Sequence, residues 1–477
     1  MVNYGVKILI SRLMLQGITI SVRCLMLFLN VGSFIGCNSS NEPIVIADSS
    51  FIKGQFKVRI MPLSKAFTRT SVNTSIFRLN AIVSDANYQF VAYYDDKGYI
   101  TFAKRSVNSD EWEIIKTEIQ GDCARAEEGG YYADAHKVIS IGLDGNGYLH
   151  MCNDMHANQL KYRKSKKPYT CEFGETETMV NEDEENLLTY PEFHRLSNGN
   201  LLFICRGELG FVQNEYSIKT KKWQRRGDRY IIDNEDSFCA YWQVCLDECD
   251  HIYISWLWRE NKNGDPESNH NMYYAMSKDG VAWENSMGKP YTLPIRHSTA
   301  ELAWDIPEGL DYMNQTSMAV TANGEPCIAS YWRNAESKVP QYRCVWLDNG
   351  RWNMKQVGNR TLPFSLSTSK DEGGATLRVP ICRPKLLIDK SNRGFLLFRD
   401  EERGEFVSLA YCENILSPNW RIIDLTDFPV GAWEPSVDED RWRRDGILDI
   451  YLQKTFGEGV PDVEPEVAYV LEVCFDE

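Results

Sequence analysis

The sequence predicts an all-β fold, a seven-bladed β-propeller, and three observations support that reading. One unit recurs seven times: a turn, an alternating strand, a gap, a second strand and often a tryptophan. Aromatic residues make up 12% of the chain and glycine-containing turns recur throughout, the composition of short, tightly connected strands. Long amphipathic helical periods, which several α/β domains would need, are almost absent.

The copies span 90–112, 147–167, 199–223, 250–283, 324–352, 393–420 and 446–474. A sheet of this kind carries apolar residues on both faces and needs a neighbour on each side, which a closed ring supplies. Phe56-Lys-Val-Arg-Ile60 is a candidate strand to complete the last blade and fasten the ring. Ser277-Lys-Asp-Gly-Val-Ala-Trp283 reads as a degenerate Asp-box turn, with Asp279 as cap, Gly280 at positive φ and Trp283 packed between sheets. No linker to a second domain follows, so residues 56–477 form one propeller and 38–55 a linker before it.

Residues 1–37 read as an export segment. Lys7, Arg12 and Arg23 precede an uncharged stretch from Cys24 to Gly36, too short to cross a membrane as a helix. Phe34-Ile-Gly-Cys37 and the polar run after it resemble a bacterial lipobox, which would make Cys37 the lipidated first residue. The bland alternative is an ordinary cleaved secretory peptide. The long charged region points to Met14 as the start, since that keeps Arg23 as the basic flank. An exported protein of the periplasm or outer membrane is expected, a monomer held to the membrane only by lipid. The other cysteines form no CxxC pair, and Cys152, Cys205, Cys382 and Cys412 read as buried thiols on apolar strand faces. One or two disulfides remain open. A net charge of −15 argues against a nucleic-acid partner, and an anionic substrate would need a local basic cleft.

The chemistry concentrates between Asp134 and Arg206. Asp134-Ala-His136 is followed by Asp154-Met-His156, with a strand, the turn Asp144-Gly-Asn-Gly147 and a second strand between them. Thr189-Tyr190-Pro191 leads to a further strand pair that ends in Cys205-Arg206. Two imidazoles, a phenol and a guanidinium at strand ends make a candidate acid–base site with an anion clamp. The Asp-x-His pairs could instead hold zinc, but no third and fourth ligand stand at a telling spacing. No cofactor is expected for catalysis; a structural calcium or zinc stays open. His150 reads as pointing into a blade and His194 as packing or solvated.

The stretch 134–162 and the run TYPEFHRLSNGNLLFICR resemble the BNR-4 repeat proteins, above all their ulvan lyase branches. The likeness continues through ISWLWRE, SNHNMYYAMSKDG and EPSVDEDRWRRDGILDIYLQK. In those lyases two histidines stand about twenty residues apart, and a tyrosine sixteen before an arginine. Here His136 and His156 are 20 apart, and Tyr190 and Arg206 are 16 apart. The resemblance implies a lyase that cleaves a 4-linked glucuronate or iduronate beside rhamnose, with an anionic polysaccharide or oligosaccharide as substrate. It makes His136, His156, Tyr190 and Arg206 the catalytic set, and Asn269, His270, Trp258 and Arg259 substrate-binding residues.

Elimination needs the carboxylate neutralised, the C5 proton removed and O4 protonated. Arg206 suits the first task, since a guanidinium pairs with a carboxylate through two bonds. Tyr190 is the candidate for proton transfer, its pKa expected to fall beside the arginine; His136 is the alternate base or acid. The run Lys161–Lys167 either supplies the basic cleft or is a solvated outer strand. Two other functions compete. A glycoside hydrolase, rhamnosidase or sialidase-like, lacks its motifs here: Val58-Arg59-Ile-Met-Pro62 is a poor arginine motif and no histidine precedes His136. A glycan-binding propeller without turnover is the other.

Overall fold

The computed structural model describes residues 49–475 apart from 209, 228–229, 236, 261–264, 367–378 and 458–462. The export segment, Cys37 and residues 38–48 lie outside the described residues.

Seven small antiparallel sheets follow one another as the blades of a propeller. Blade one holds Ile82–Ser84, Tyr88–Tyr94, Tyr99–Ser106 and Glu113–Gln120, and blade two Ile139–Leu143, Leu149–Asn153 and Tyr162–Lys164. Blade three holds Thr189–Arg195, Leu201–Gly207, Gly210–Ser217 and Lys222–Arg225. Blade four holds Phe238–Leu246, Ile252–Glu260, Asn269–Ser277 and Trp283–Glu284, with Glu301–Trp304 also on its third strand. Blade five runs from Ser317–Val320 to Arg351–Val357, and blade six from Lys385–Ile388 to Arg421–Asp424.

The last sheet joins the two ends of the described chain: Phe56–Ala66 pairs with Glu466–Phe475, which pairs with Leu448–Gln453. The closing strand expected at Phe56–Ile60 is therefore present and longer. The linker boundary needs correction, because Ser49–Lys53 turns back through Gly54 at φ 62° and pairs with Lys57–Ile60. The propeller thus includes Ser49–Lys53. Residues 434–438 run along Leu448–Gln453 as an irregular inner edge, with Asp438 N–H donating to Asp449 O at 3.0 Å and Tyr451 N–H to Ser436 O at 2.9 Å.

Apolar clusters fill the spaces between sheets. Trp242, Trp256, Trp258 and Trp283 pack with Ile204 and Phe211 between blades three and four. The Asp-box turn forms as expected: Asp279 Oδ1 accepts the Val281 and Ala282 N–H groups at 2.8 Å, and Gly280 stands at φ 72°. All twelve cysteines of the described region are free thiols, eight of them buried, which answers the disulfide question there in favour of packing.

Candidate active site

The segments entering the inner strands bring one residue from each blade to the same mouth. Phe77, His136, Tyr190, Tyr241, Asn314, Arg383 and Glu434 follow one another around it. Phe77 lies at the centre of the stack: its ring centroid is 4.3 Å from His136 and 4.8 Å from Tyr190, near parallel to both. The Arg383 guanidinium sits 4.6 Å from the Phe77 centroid. Arg383 Nε donates to Glu434 Oε1 at 2.7 Å, and Glu434 Oε2 accepts the Ile76 N–H at 2.7 Å. Arg383 Nη1 donates to the Asn314 carbonyl at 3.0 Å, and Asn314 Oδ1 accepts Arg259 Nη2. Arg259 Nη1 reaches the Tyr241 hydroxyl at 3.2 Å, which closes the circuit on blade four.

The four expected catalytic residues meet in this mouth. Tyr190 takes φ 58°, and the register slips between Thr189 and Glu192. A bulge of this kind re-aims a side chain out of the ladder, at a cost of about 1 kcal/mol for the left-handed backbone. Arg206, paired across the strands with Thr189, holds its guanidinium 4.6 Å from the Tyr190 centroid and 5.3 Å from that of Tyr241. His136 and His156 stack at 4.1 Å.

Asp134 carries both imidazoles. Its Oδ1 accepts His136 Nδ1 at 2.6 Å and the His136 N–H at 2.9 Å, and its Oδ2 accepts His156 Nδ1. An ionised carboxylate only accepts, so each ring donates a proton from Nδ1 and turns Nε2 away from Asp134. The repeated Asp-x-His pattern is therefore not a repeated unit. Asp154 is occupied instead with the Tyr94 hydroxyl at 2.8 Å, the Asp122 N–H at 3.1 Å and Asn153 Nδ2 at 2.6 Å. Asp134, His136 and His156 also form the one group of three candidate metal ligands among the described residues. Contacts of 2.6 Å and less are those of donors on an acceptor; ligand atoms around zinc stand about 3.3 Å apart, as bonds near 2 Å in a tetrahedron require.

The electrostatics assign protonation states. Burial and the neighbouring His156 push the His136 pKa down to about 4 against the pull of Asp134, so its imidazole is neutral over most of the accessible range. Burial raises Asp134, but hydrogen bonds from the two imidazoles outweigh it and hold the carboxyl well below its ordinary range. Burial raises the Tyr190 phenol well above its ordinary value and outweighs the opposing pull of Arg206. That corrects the expectation of a lowered Tyr190. Burial also opposes the Arg206 charge, yet the Tyr190 and Tyr241 rings keep the guanidinium above its ordinary value.

One repeat feature singles out Arg206. Blades three to six each carry an arginine at, or one residue from, the end of the second strand: Arg206, Arg259, Arg333 and Arg399. Arg259 is saturated by Asn269, Tyr241 and Asn314. Arg333 donates to Asp311 Oδ2 at 2.8 Å, and Arg399 to the carbonyls of Val379, Pro380 and Trp433. Arg206 Nη1 is buried and has no hydrogen-bond partner. A buried donor left open costs about 1–3 kcal/mol, and this one leaves a hydrogen bond to spare for a ligand oxygen.

The other expected residues fall differently. Trp258 is fully buried in the core of blade four, and Asn269 is spent on Arg259 Nε at 2.8 Å and the Tyr312 carbonyl at 2.7 Å, so neither is open to a sugar. Both sit on inward-facing strand positions that the motif alone does not reveal. Trp258→Ala is expected to destabilise by about 3–5 kcal/mol, read as a lower urea midpoint at unchanged m; a cleft-wall role would instead raise KM at constant stability. Arg259 braces Tyr241 from behind. His270 faces His297, Nε2 to Nε2, at 3.3 Å. His150 points into its blade as expected, against the Tyr162 hydroxyl at 2.8 Å. His194 bonds Glu192 at 3.2 Å, four residues along the strand from Tyr190 and so about 13 Å away. The Lys161–Lys167 run forms the outer strand of blade two, where Arg163 and Lys164 are spent on Asn153 and Tyr216. Sequence reasoning missed Phe77, Tyr241, Arg383, Glu434 and the sharing of Asp134. The arginine at or beside the end of four successive second strands was the readable signal of a common rim.

Residues 88–360, more than half of the chain, match a family described as BNR repeat-containing. None of the curated protein sequences matches this chain. Among solved structures, the polysaccharide lyase Uly1 superposes with a TM-score of 0.56 at 15% identity, over 87% of this chain and 100% of that one. A PL25 ulvan lyase, solved alone and bound to -[GlcA(1-4)Rha3S]-, does so with a TM-score of 0.58 at 15% identity, over 87% and 93%. At that identity the likeness establishes the fold.

Proposed function

The chain belongs to the family of BNR repeat-containing proteins, and from that premise we propose that it is a polysaccharide lyase. Its substrate is a 4-linked glucuronate or iduronate beside rhamnose, in an ulvan-like polymer, and the reaction is β-elimination. The observation that carries this reading is the open, buried Nη1 of Arg206 beside a protonated Tyr190, with a neutral His136 at the same mouth.

The uronate carboxylate pairs with Arg206, which neutralises the charge that otherwise opposes removal of the C5 proton. His136 Nε2 takes that proton, and Asp134 stabilises the imidazolium through Nδ1–H. The electron pair forms the enolate, whose added charge rests on Arg206. The C4–O4 bond then breaks, a C4=C5 double bond forms, and the Tyr190 hydroxyl gives its proton to O4. Afterwards the imidazolium returns a proton to the phenolate by way of solvent. His156, the more exposed ring of the pair, connects Asp134 to water. The high phenol pKa thus makes Tyr190 the acid and leaves the base to histidine.

The test is direct. The double bond is conjugated to the carboxylate, so digestion of ulvan, gum arabic or rhamnogalacturonan should raise ultraviolet absorbance. No rise with any of them sinks the proposal; reducing sugar without absorbance means hydrolysis, and retained polymer length with binding means a lectin-like protein. Against a sialidase stands Arg59, which lies in a strand of the last blade and pairs with Asp110.

A pH profile of kcat/KM is a second check. The base works only when neutral, so activity rises through pH about 4 and then holds a plateau. The acid works only when protonated, and its loss falls beyond pH ~10. The same group affects stability. His136 is lowered in the folded state, so the unfolded chain binds more protons between pH 4 and ~6.5, and stability present above ~6.5 is lost as pH falls toward about 4. Export as a lipoprotein anchored at Cys37 belongs to the same proposal, and Cys37→Ala should leave the protein unlipidated and free of the membrane.

A further inference from the structure

We infer that Tyr131 is the floor of a neighbouring sugar subsite, which takes a pyranose ring adjoining the uronate; this rests on the lyase reading above. The chain leaves the outer strand of blade one at Gln120 and crosses to Asp134 through two short turns, Asp122–Glu128 and Gly130–Ala133. Tyr131 therefore stands on the approach to the histidine pair. Its side chain belongs to the few large apolar groups left exposed, at 47%.

Two contacts hold it there. The hydroxyl donates to Asn158 Oδ1 at 2.6 Å, and the same oxygen accepts the His156 N–H at 2.9 Å. The Lys137 ammonium lies against one face of the ring, 2.8 Å from its centroid. Lys137 is itself 1% exposed and paired with Asp122, so that face is closed; the Tyr132 ring stands edge-on to Tyr131 at 6.0 Å, and 47% of the residue still faces solvent. An aromatic ring fixed at its edge and backed on one face, with about half of its surface open, needs no reordering to receive a ligand. What fits it is the apolar C–H face of a pyranose, and a 6-deoxy sugar adds its methyl group to the contact. The exposed ring shares Asn158 with His156, and so stands beside the histidine pair.

The experiment compares wild type, Tyr131→Ala and Tyr131→Phe on the polymer and on the shortest oligosaccharide that is cleaved, by initial rates of absorbance. Tyr131→Ala should raise KM for the polymer roughly five- to tenfold, with kcat within about twofold, and leave the short substrate unaffected. Tyr131→Phe should match wild type on both, since it keeps the face and loses only the bond to Asn158. An unchanged polymer KM for Tyr131→Ala overturns the subsite. So does a fall in kcat on the short substrate shared by both variants, because Tyr131 would then act by positioning His156. Affinity electrophoresis in gels containing the polymer separates this from the reaction itself. If wild type gives no absorbance, the lyase reading fails, while weaker retardation of Tyr131→Ala still supports the platform and equal retardation overturns it. A melting midpoint near that of wild type confirms that the half-exposed side chain was removed without unfolding.

Discussion

Tyr190→Phe should lower kcat by roughly 10²–10⁴-fold while glycan affinity stays nearly intact. The substitution removes one oxygen and keeps the ring that stacks on Phe77 and lies under Arg206. No protein group among the described residues is given a hydrogen bond by that hydroxyl, so its loss leaves no orphaned partner and stability should hold. The effect therefore falls on the proton delivered to O4. Single-turnover absorbance on saturating polymer measures it, and calorimetric titration of the same variant measures binding. A variant that keeps even a tenth of wild-type kcat would remove Tyr190 from the chemistry and leave the acid to be found elsewhere.

Arg206→Met should cost about 10²–10³-fold in kcat and weaken binding as well. The carboxylate loses its partner already in the ground state, so KM rises together with the fall in rate. Met keeps much of the volume packed against Tyr190 and Tyr241 but no charge. Arg206 is a half-buried cation whose Nη1 is buried and unsatisfied, so this change should leave the melting temperature equal or raise it. Loss of activity with gained stability identifies a residue retained for a ligand. A protein that unfolds on the substitution would identify a structural one. Arg383→Met offers the contrast: it strands Glu434 in a buried position, and breaking such a pair costs about 3–5 kcal/mol.

The ring was legible because its cause is local. A turn, two alternating strands and a tryptophan say how a blade packs, and seven of them leave little choice of architecture. Phe56–Ile60 announced closure for the same reason; Ser49–Lys53 did not, because its alternation of half-buried and exposed residues also suits a linker. The convergence of His136, His156, Tyr190 and Arg206 was legible through their spacing and the family likeness, which place these side chains at strand ends. What spacing does not carry is what a side chain touches across blades. Asp154 looked equivalent to Asp134, yet a carboxylate shared by two imidazoles arises only when two loops converge. Trp258 and Asn269 looked like ligands because they border a motif, and only the register of their strands turns them inward. The Tyr190 pKa went astray for a related reason: the arginine was visible in the sequence, and the burial that outweighs it was not.

The four arginines at the ends of successive second strands make specificity a matter of subtraction. Four successive blades offer the same cation at nearly the same station, and the protein silences three of the four with its own oxygens. Moving anion recognition around the rim would then require no new positive charge, only the removal of an acceptor such as Asp311 beside Arg333. A repeat scaffold of this kind can diverge by rotation, shifting its reactive sector from one blade to the next while the barrel beneath stays unaltered.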